Sequence, residues 1–149
     1  MQDINNARSD AQKKDMEDLK VANVCLFCPE GLNLKSKRVF HQGEHWYVTP
    51  NDFPYAGTTV HVMIVPRRHV VSLLDLLPEE LVELPQMFAW VNREFSIRGA
   101  TMLARYGETS FTGATIHHFH IHIAQGIQKS ETTEHLYAAI GYKDKPQPT

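Results

Sequence analysis

Ile116-His117-His118-Phe119-His120-Ile121-His122-Ile123-Ala124 is the stretch on which the fold reading turns. Three of its histidines, His118, His120 and His122, alternate with Phe119, Ile121 and Ile123. Strict alternation with β-forming residues predicts a strand with one polar and one apolar face, so the three imidazoles line one side of a sheet. At a rise of about 3.3 Å per residue, His118 and His122 stand roughly 13 Å apart at Cα, and neighbours in the row about 7 Å. Two neighbours can share a metal, but three on one ion would require the outer pair to bend hard inwards. The row reads as separately employed groups. The bland alternative, idle histidines on a wet sheet face, is disfavoured because any polar residue would serve there.

Working outward, the 149-residue length predicts one domain with a core of its own, and 42% hydrophobic with 21% charged residues describes an ordinary globular chain. No apolar run approaches the roughly 20 residues of a membrane span. Met1-Gln2-Asp3-Ile4-Asn5-Asn6 lacks the apolar core of a signal peptide, so a cytoplasmic protein with no membrane partner is expected. A formal net charge of −2 argues against stable nucleic-acid binding, and an anionic ligand would need a local cationic cluster.

The two cysteines, Cys25 and Cys28, form a C-x-x-C pair. In an intracellular chain such a pair is redox-active or half of a metal site. A redox pair sits at a helix N-terminus, which lowers the thiol pKa. Pro29-Glu30-Gly31-Leu32-Asn33 reads instead as a turn without amphipathic period. Zinc is the better reading, and it requires two further ligands from elsewhere.

In chain order, residues 1–22 are polar and mixed in charge and predict a frayed or partly helical arm. A main domain follows over residues 23–126, and residues 127–149 form a C-terminal extension. Arg38-Val39-Phe40-His41 and His45-Trp46-Tyr47-Val48 around Gln42-Gly43-Glu44 predict a hairpin. Thr49 to Gly57, with two prolines, predicts an ordered loop. Thr59 to Pro66 is the most apolar β-pattern and predicts a central strand with His61, Met63 and Val65 on one face. From Val71 to about Ile97 apolar residues recur at spacings of three and four, predicting a long helix with a kink or break at Pro85. A strand is expected from about Ala100 to Tyr106, and a short helix near Glu134 to Ala139. Lys145 to Thr149 is a Pro-rich end. The fold class predicted is α+β, with a largely antiparallel sheet of about five strands and one long helix.

His118-Phe119-His120-Ile121-His122-Ile123-Ala124 resembles the alternating motif that names the histidine triad superfamily of nucleotide hydrolases and transferases. The resemblance extends over roughly residues 22–126. It takes in the C-x-x-C knuckle, the Asn51/Pro54 loop, the strand carrying His61, the long helix and the Gly113/Thr115 approach to the triad. It implies cleavage at the α-phosphorus of a nucleotide derivative through a nucleotidyl-histidine intermediate. By position it makes His120 the nucleophile, with His122 and His61 as donors to the phosphate oxygens. A neutral imidazole is a competent nucleophile for such covalent catalysis. Gly113 and Thr115 would contact the phosphate and leaving group, Asn51 the ribose, and Phe53 the base. The same resemblance implies that Cys25, Cys28, His69 and His118 hold zinc, a closed and therefore structural set. It also implies a homodimer formed by pairing sheets.

The chain departs from the family pattern in places. The usual Gly-His pair before the central strand is replaced by Gly57-Thr58-Thr59-Val60-His61, and Gly107 stands where many relatives carry Asn. His122 stands where the hexose-phosphate uridylyltransferase branch has Gln, which favours hydrolysis over that transfer. His117 has no family role. The leading expectation is a hydrolase of nucleoside phosphoramidates, dinucleoside polyphosphates or related conjugates. The alternatives are a nucleotidyl transferase or phosphorylase, a non-catalytic nucleotide-binding protein, and a hydrolase with catalytic zinc on the histidine row.

Overall fold

The structure, a computed structural model, describes residues 2–146. The last three residues of the expected Pro-rich end lie outside them. Five strands form one antiparallel sheet: β1 His41–Gln42, β2 Trp46–Pro50, β3 Val60–Pro66, β4 Thr101–Ala104 and β5 Ile121–Gln125, in the order β1-β2-β3-β5-β4. The helices are α1 Asp10–Ala22, α2 Pro29–Leu34, α3 Pro78–Glu94 and α4 Thr109–Thr112.

β3 is central because both of its faces are covered, which is why its run is almost unbroken in apolar residues. Val62 and Ile64 join Trp46, Val48, Phe119, Ile121 and Ile123 against Met87 and Val91 of α3. Met63 and Val65 point the other way and pack with Cys25, Phe27, Tyr47 and Ile116. His61 lies one pleat from Met63, so it shares the second face. Burial of each large core side chain contributes about 1.5–3 kcal/mol, so two clusters on opposite faces fix the β3 register firmly.

Helix α3 begins with Pro78, and the buried Glu80 carboxylate accepts the Leu77 N–H at 2.7 Å. The same carboxylate takes Arg68 in a bidentate pair at 2.9 and 2.8 Å. The Glu80 carbonyl accepts the indole N–H of fully buried Trp46 at 2.7 Å, tying helix start to β2. Of the kink or break expected at Pro85 the break does not occur: α3 runs unbroken through it. Pro85 and Leu81 are both exposed, so water can take the Leu81 carbonyl that the proline leaves without a donor. At the far end, Trp90 of α3 stacks on His41 of the hairpin, with ring centroids 4.6 Å apart and planes 8° off parallel.

Three further expectations differ from the structure. The stretch after Cys28 is a short helix, α2, with Pro29 in its first turn and Cys28 as its N-cap. Residues 134–139 form no helix. Only His122 of the histidine row lies within a strand, because β3 pairs with β5 no further than Ile64 with Ile121. Upstream, Phe119 N–H turns to Val70 O at 2.6 Å, and the His118 ring rather than its backbone meets Pro66 O.

The N-terminal segment is docked on the domain. Ser9 caps α1 by accepting Gln12 N–H at 3.1 Å, and the helix buries Gln12, Met16 and Leu19. Asp3 N–H donates to Thr115 O at 2.9 Å, and Gln2 forms an isolated bridge to Ile116. Among the described residues no helix is long and apolar enough to cross a membrane.

Candidate active site and metal centre

β3 and β5 are antiparallel neighbours with Met63 opposite His122 and His61 opposite Ala124, so His61 and His122 are diagonal neighbours on one face. Their ring centroids are 5.2 Å apart, and those of His120 and His122 are 4.8 Å apart. All three rings are buried. His120 and His122 line a cavity of about 300 Å³, whose lining also includes Asn51, Phe53, Gly113 and Thr115. The structure thus brings Asn51, Phe53, Gly113 and Thr115 to the same cavity as His120 and His122. His61 contacts it through His122 and Asn51 rather than lining it.

Hydrogen bonds assign the proton on each ring. His120 Nδ1 is 2.7 Å from His118 O, an acceptor only, so Nδ1 carries the hydrogen and Nε2 keeps its lone pair. That Nε2 makes no hydrogen bond among the described residues. Tyr55 N–H donates to His61 Nδ1 at 3.0 Å, which places the His61 hydrogen on Nε2. His61 Nε2–H then donates to His122 Nδ1 at 2.9 Å, which assigns the His122 hydrogen to Nε2, with the Arg105 Nη1 donor 3.5 Å from that nitrogen. Asn51 is held by accepting Phe53 N–H on Oδ1 at 2.9 Å, and its Nδ2 stands 3.1 Å from His61 Nε2 and 3.5 Å from the same His122 Nδ1. One backbone amide therefore fixes two imidazole tautomers in series.

The electrostatics keep these rings neutral. Burial, then the charges of Arg8, Arg105 and His120, lowers His61 to about 4. Burial and the nearby Arg105 and Lys37 lower His120 to about 4, against the opposing pull of the His118 carbonyl. Burial, reinforced by His120, His61 and the arginines, pushes His122 far below the ordinary imidazole range. At neutral pH the site holds an unprotonated nitrogen on His120 and N–H donors on its neighbours.

A few ångströms away, Cys25, Cys28, His69 and His118 bring four ligand atoms within 4.8 Å of one another. With metal–sulfur bonds of about 2.3 Å and metal–nitrogen bonds of about 2.0–2.1 Å, a tetrahedral centre separates sulfur from nitrogen by roughly 3.6 Å. The observed separations are 3.5 Å for Cys25 Sγ to His118 Nδ1 and 3.4 Å for Cys28 Sγ to His69 Nδ1. Cys28 Sγ to His118 Nδ1 is 3.8 Å. His118 donates its other nitrogen to Pro66 O at 2.9 Å, so Nδ1 presents a lone pair to the sulfurs. The residues fit a metal such as zinc. Although Cys28 does cap a helix, burial first and Cys25 second push its thiol up to about 12, the opposite of an activated redox cysteine. Phe27 lies between the two centres, its ring 5.8 Å from that of His118 and 5.0 Å from that of His120.

The sequence reading missed Arg8, Lys37, Tyr55 and Arg105, which also line the cavity. No local pattern marks them, because they come from the N-terminal segment, a loop after α2, the β2–β3 loop and the end of β4. The only usable signal was the charge argument that an anionic ligand needs a local cationic cluster. His117, given no role, is exposed and faces away from the cavity lining.

Comparison with known proteins gives a consistent result. A family model described as "Scavenger mRNA decapping enzyme C-term binding" matches residues 24–137. A search of curated proteins finds no match. Among solved structures, a HIT family hydrolase from Clostridium thermocellum is 19% identical with a TM-score of 0.57, covering 72% of this chain and 95% of its own. A histidine triad protein from Clostridium difficile is 19% identical with a TM-score of 0.55, covering 74% and 96%. A hypothetical protein from Leishmania major is 18% identical with a TM-score of 0.57, covering 85% and 86%. At these identities the structural likeness is one of fold.

Proposed function

The chain belongs to the scavenger mRNA decapping enzyme C-terminal family of the histidine triad superfamily, and from that membership we propose that it hydrolyses nucleotide conjugates at the α-phosphorus. The observation that carries the reading is the proton arrangement: a buried His120 with Nδ1 committed to His118 O and Nε2 free beside the cavity.

His120 Nε2 attacks the α-phosphorus, and the bond from phosphorus to the leaving group breaks with its electron pair going to the leaving group, a phosphate departing as the anion and an amine taking up a proton from water as it departs. The His120 Nδ1–H···O bond to His118 spreads the positive charge that develops on the imidazole. His122 Nε2–H, held outward by the relay from Tyr55 through His61, donates to a phosphate oxygen as charge grows there. Water then displaces His120 from phosphorus, releasing the nucleoside monophosphate and a proton and restoring the neutral ring. Gly113 and Thr115 bound the phosphate end of the cavity, while Asn51 and Phe53 receive ribose and base. Gly113 adopts φ 73°, a left-handed turn that suits glycine and closes α4 at the cavity wall.

Cys25, Cys28, His69 and His118 would hold zinc, which supplies a rigid anchor for the segment that presents His120. A homodimer is proposed through the free edge of β4, where Met102 is exposed.

The test is a panel of adenosine phosphoramidate and diadenosine polyphosphates with His120→Ala as control. The expected result is turnover by the natural chain, adenylylated His120 on rapid alkaline quench, and loss of both in the variant with zinc retained. Full activity in His120→Ala would refute it.

A further inference from the structure

Helix α1 precedes residues 24–137, which the family model matches, and still forms a wall of the triad cavity. Gln12, Asp15, Met16 and Leu19 share one face of the helix by their spacing, and all four line the cavity. Met16 and Leu19 are buried there, and Leu26, Phe27 and Ile116 continue the apolar lining. Lys35, the lining cation that reaches this helix, is already paired with both Asp15 and Asp18. This wall therefore offers a phosphate no free charge, whereas a flat, neutral heteroaromatic ring suits it.

Gln12 is the polar exception among the buried residues of that face, only 8% exposed. Arg8 N–H stands 2.8 Å from one terminal atom of its amide, and an N–H needs an acceptor, so that atom is Oε1. Its Nε2 is left with no hydrogen-bond partner among the described residues, on a side chain that lines the cavity. A buried amide donor without an acceptor is costly, and a ligand atom that accepts from it removes that cost. Asp15 follows on the same face; Lys35 Nζ holds its Oδ1 at 3.0 Å, and its Oδ2 has no partner among the described residues. A donor beside an acceptor on an apolar wall matches a base edge, where a ring nitrogen or carbonyl lies beside an amino or imino group.

We propose that the cavity face of α1 receives the nucleobase and that Gln12 determines base specificity, its Nε2 donating to an acceptor atom of the base. The inference rests on the reading of the triad cavity as a nucleotide site. It adds to Phe53 a second base contact, from a helix outside the matched family domain.

An analogue series tests it by calorimetric titration of His120→Ala protein, which cannot turn over. AMP is compared with 1-deaza-, 3-deaza- and 7-deaza-AMP, each with one ring nitrogen replaced by C–H. One of the three should bind about tenfold weaker than AMP, the loss expected when a buried donor keeps no acceptor. In Gln12→Met that gap should close, because the donor is gone and AMP itself then binds about tenfold weaker. Gln12→Glu retains the acceptor for Arg8 N–H and so guards against loss of the fold; it should close the gap or reverse it. In the otherwise natural chain both substitutions should raise KM for adenosine phosphoramidate about tenfold with kcat unchanged, because the base contact is the same before and during attack. Deaza analogues that all bind like AMP, or a gap that survives in either variant, would overturn the assignment to Gln12. Failure of AMP to bind at all would overturn the nucleotide reading and the base contact with it, whereas turnover without the gap would overturn the base contact alone.

Discussion

His61→Phe is the perturbation that separates orientation from chemistry at this site. Phenylalanine keeps an aromatic ring against Tyr55, whose centroid is 4.5 Å from that of His61, so little cavity is created. It removes the acceptor for Tyr55 N–H at 3.0 Å and the donor to His122 Nδ1 at 2.9 Å, together with the 3.1 Å contact to Asn51 Nδ2. A buried donor left unpaired costs about 1–3 kcal/mol, so the variant should lose about that much stability in urea denaturation. His122 Nδ1 then has only Asn51 Nδ2, at 3.5 Å, to hold its tautomer. With its hydrogen free to move to Nδ1, His122 can no longer present a fixed Nε2–H to the phosphate. The loss of one such oriented donor should slow formation of adenylylated His120 by roughly 10²–10³-fold, comparable to removing an oxyanion donor. The assay is single-turnover rapid quench with adenosine phosphoramidate at neutral pH, scored by the amount of covalent adenylate against time. A wild-type quench rate in a folded His61→Phe protein would refute the relay from Tyr55 to His122.

The remaining predictions concern metal, acid and backbone. Cys28→Ser should lower bound zinc below one equivalent in elemental analysis and lower activity by about 10–100-fold, since His118 both faces the sulfurs and accepts the His120 Nδ1–H. Folded His61 takes a proton only near pH 4, whereas the unfolded chain takes it near 6.5. Between those values the unfolded state binds more protons, so stability should fall as pH drops from 6.5 towards 4 and level off below; the urea midpoint of His61→Phe should be flatter across that window. Gly31→Ala should disrupt the knuckle, because a Cβ there would stand 2.0 Å from Cys25 O; loss of zinc together with a lowered thermal midpoint is expected, and an unchanged metal content would contradict it.

The sequence made the triad legible because a two-residue period survives as a pattern of side-chain direction even where the ladder stops, as it does at Ile121. Cys25 and Cys28 were legible as half a metal site from their spacing alone, but His69 and His118 were reachable only through family resemblance, since nothing local links residues so far apart in the chain. Helix α2 escaped because six residues contain too few turns to show an amphipathic period, and Pro29 signals a turn as readily as a helix start. Docking of α1 escaped for a related reason: Met16 and Leu19 are its only large apolar side chains buried, and two such residues look like an unanchored arm. Pro85 misled because the cost of an internal proline depends on whether the freed carbonyl meets water, which only packing decides. Arg8, Tyr55 and Arg105 belong to a convergence of distant segments, and no spacing rule records it.

The chain has only two tryptophans, and the fold has given them opposite surroundings. Trp46 is sealed between β2 and the first turn of α3 with its N–H engaged, while Trp90 lies flat against the His41 imidazole on the hairpin side of the same helix. Trp90 exchanges the imidazole face for water as soon as the hairpin leaves the helix, whereas Trp46 keeps its apolar surroundings until the core opens. Intrinsic fluorescence can therefore follow two events in one unlabelled sample, a change at Trp90 when the hairpin leaves the helix and a red shift of Trp46 when the sheet parts from the helix.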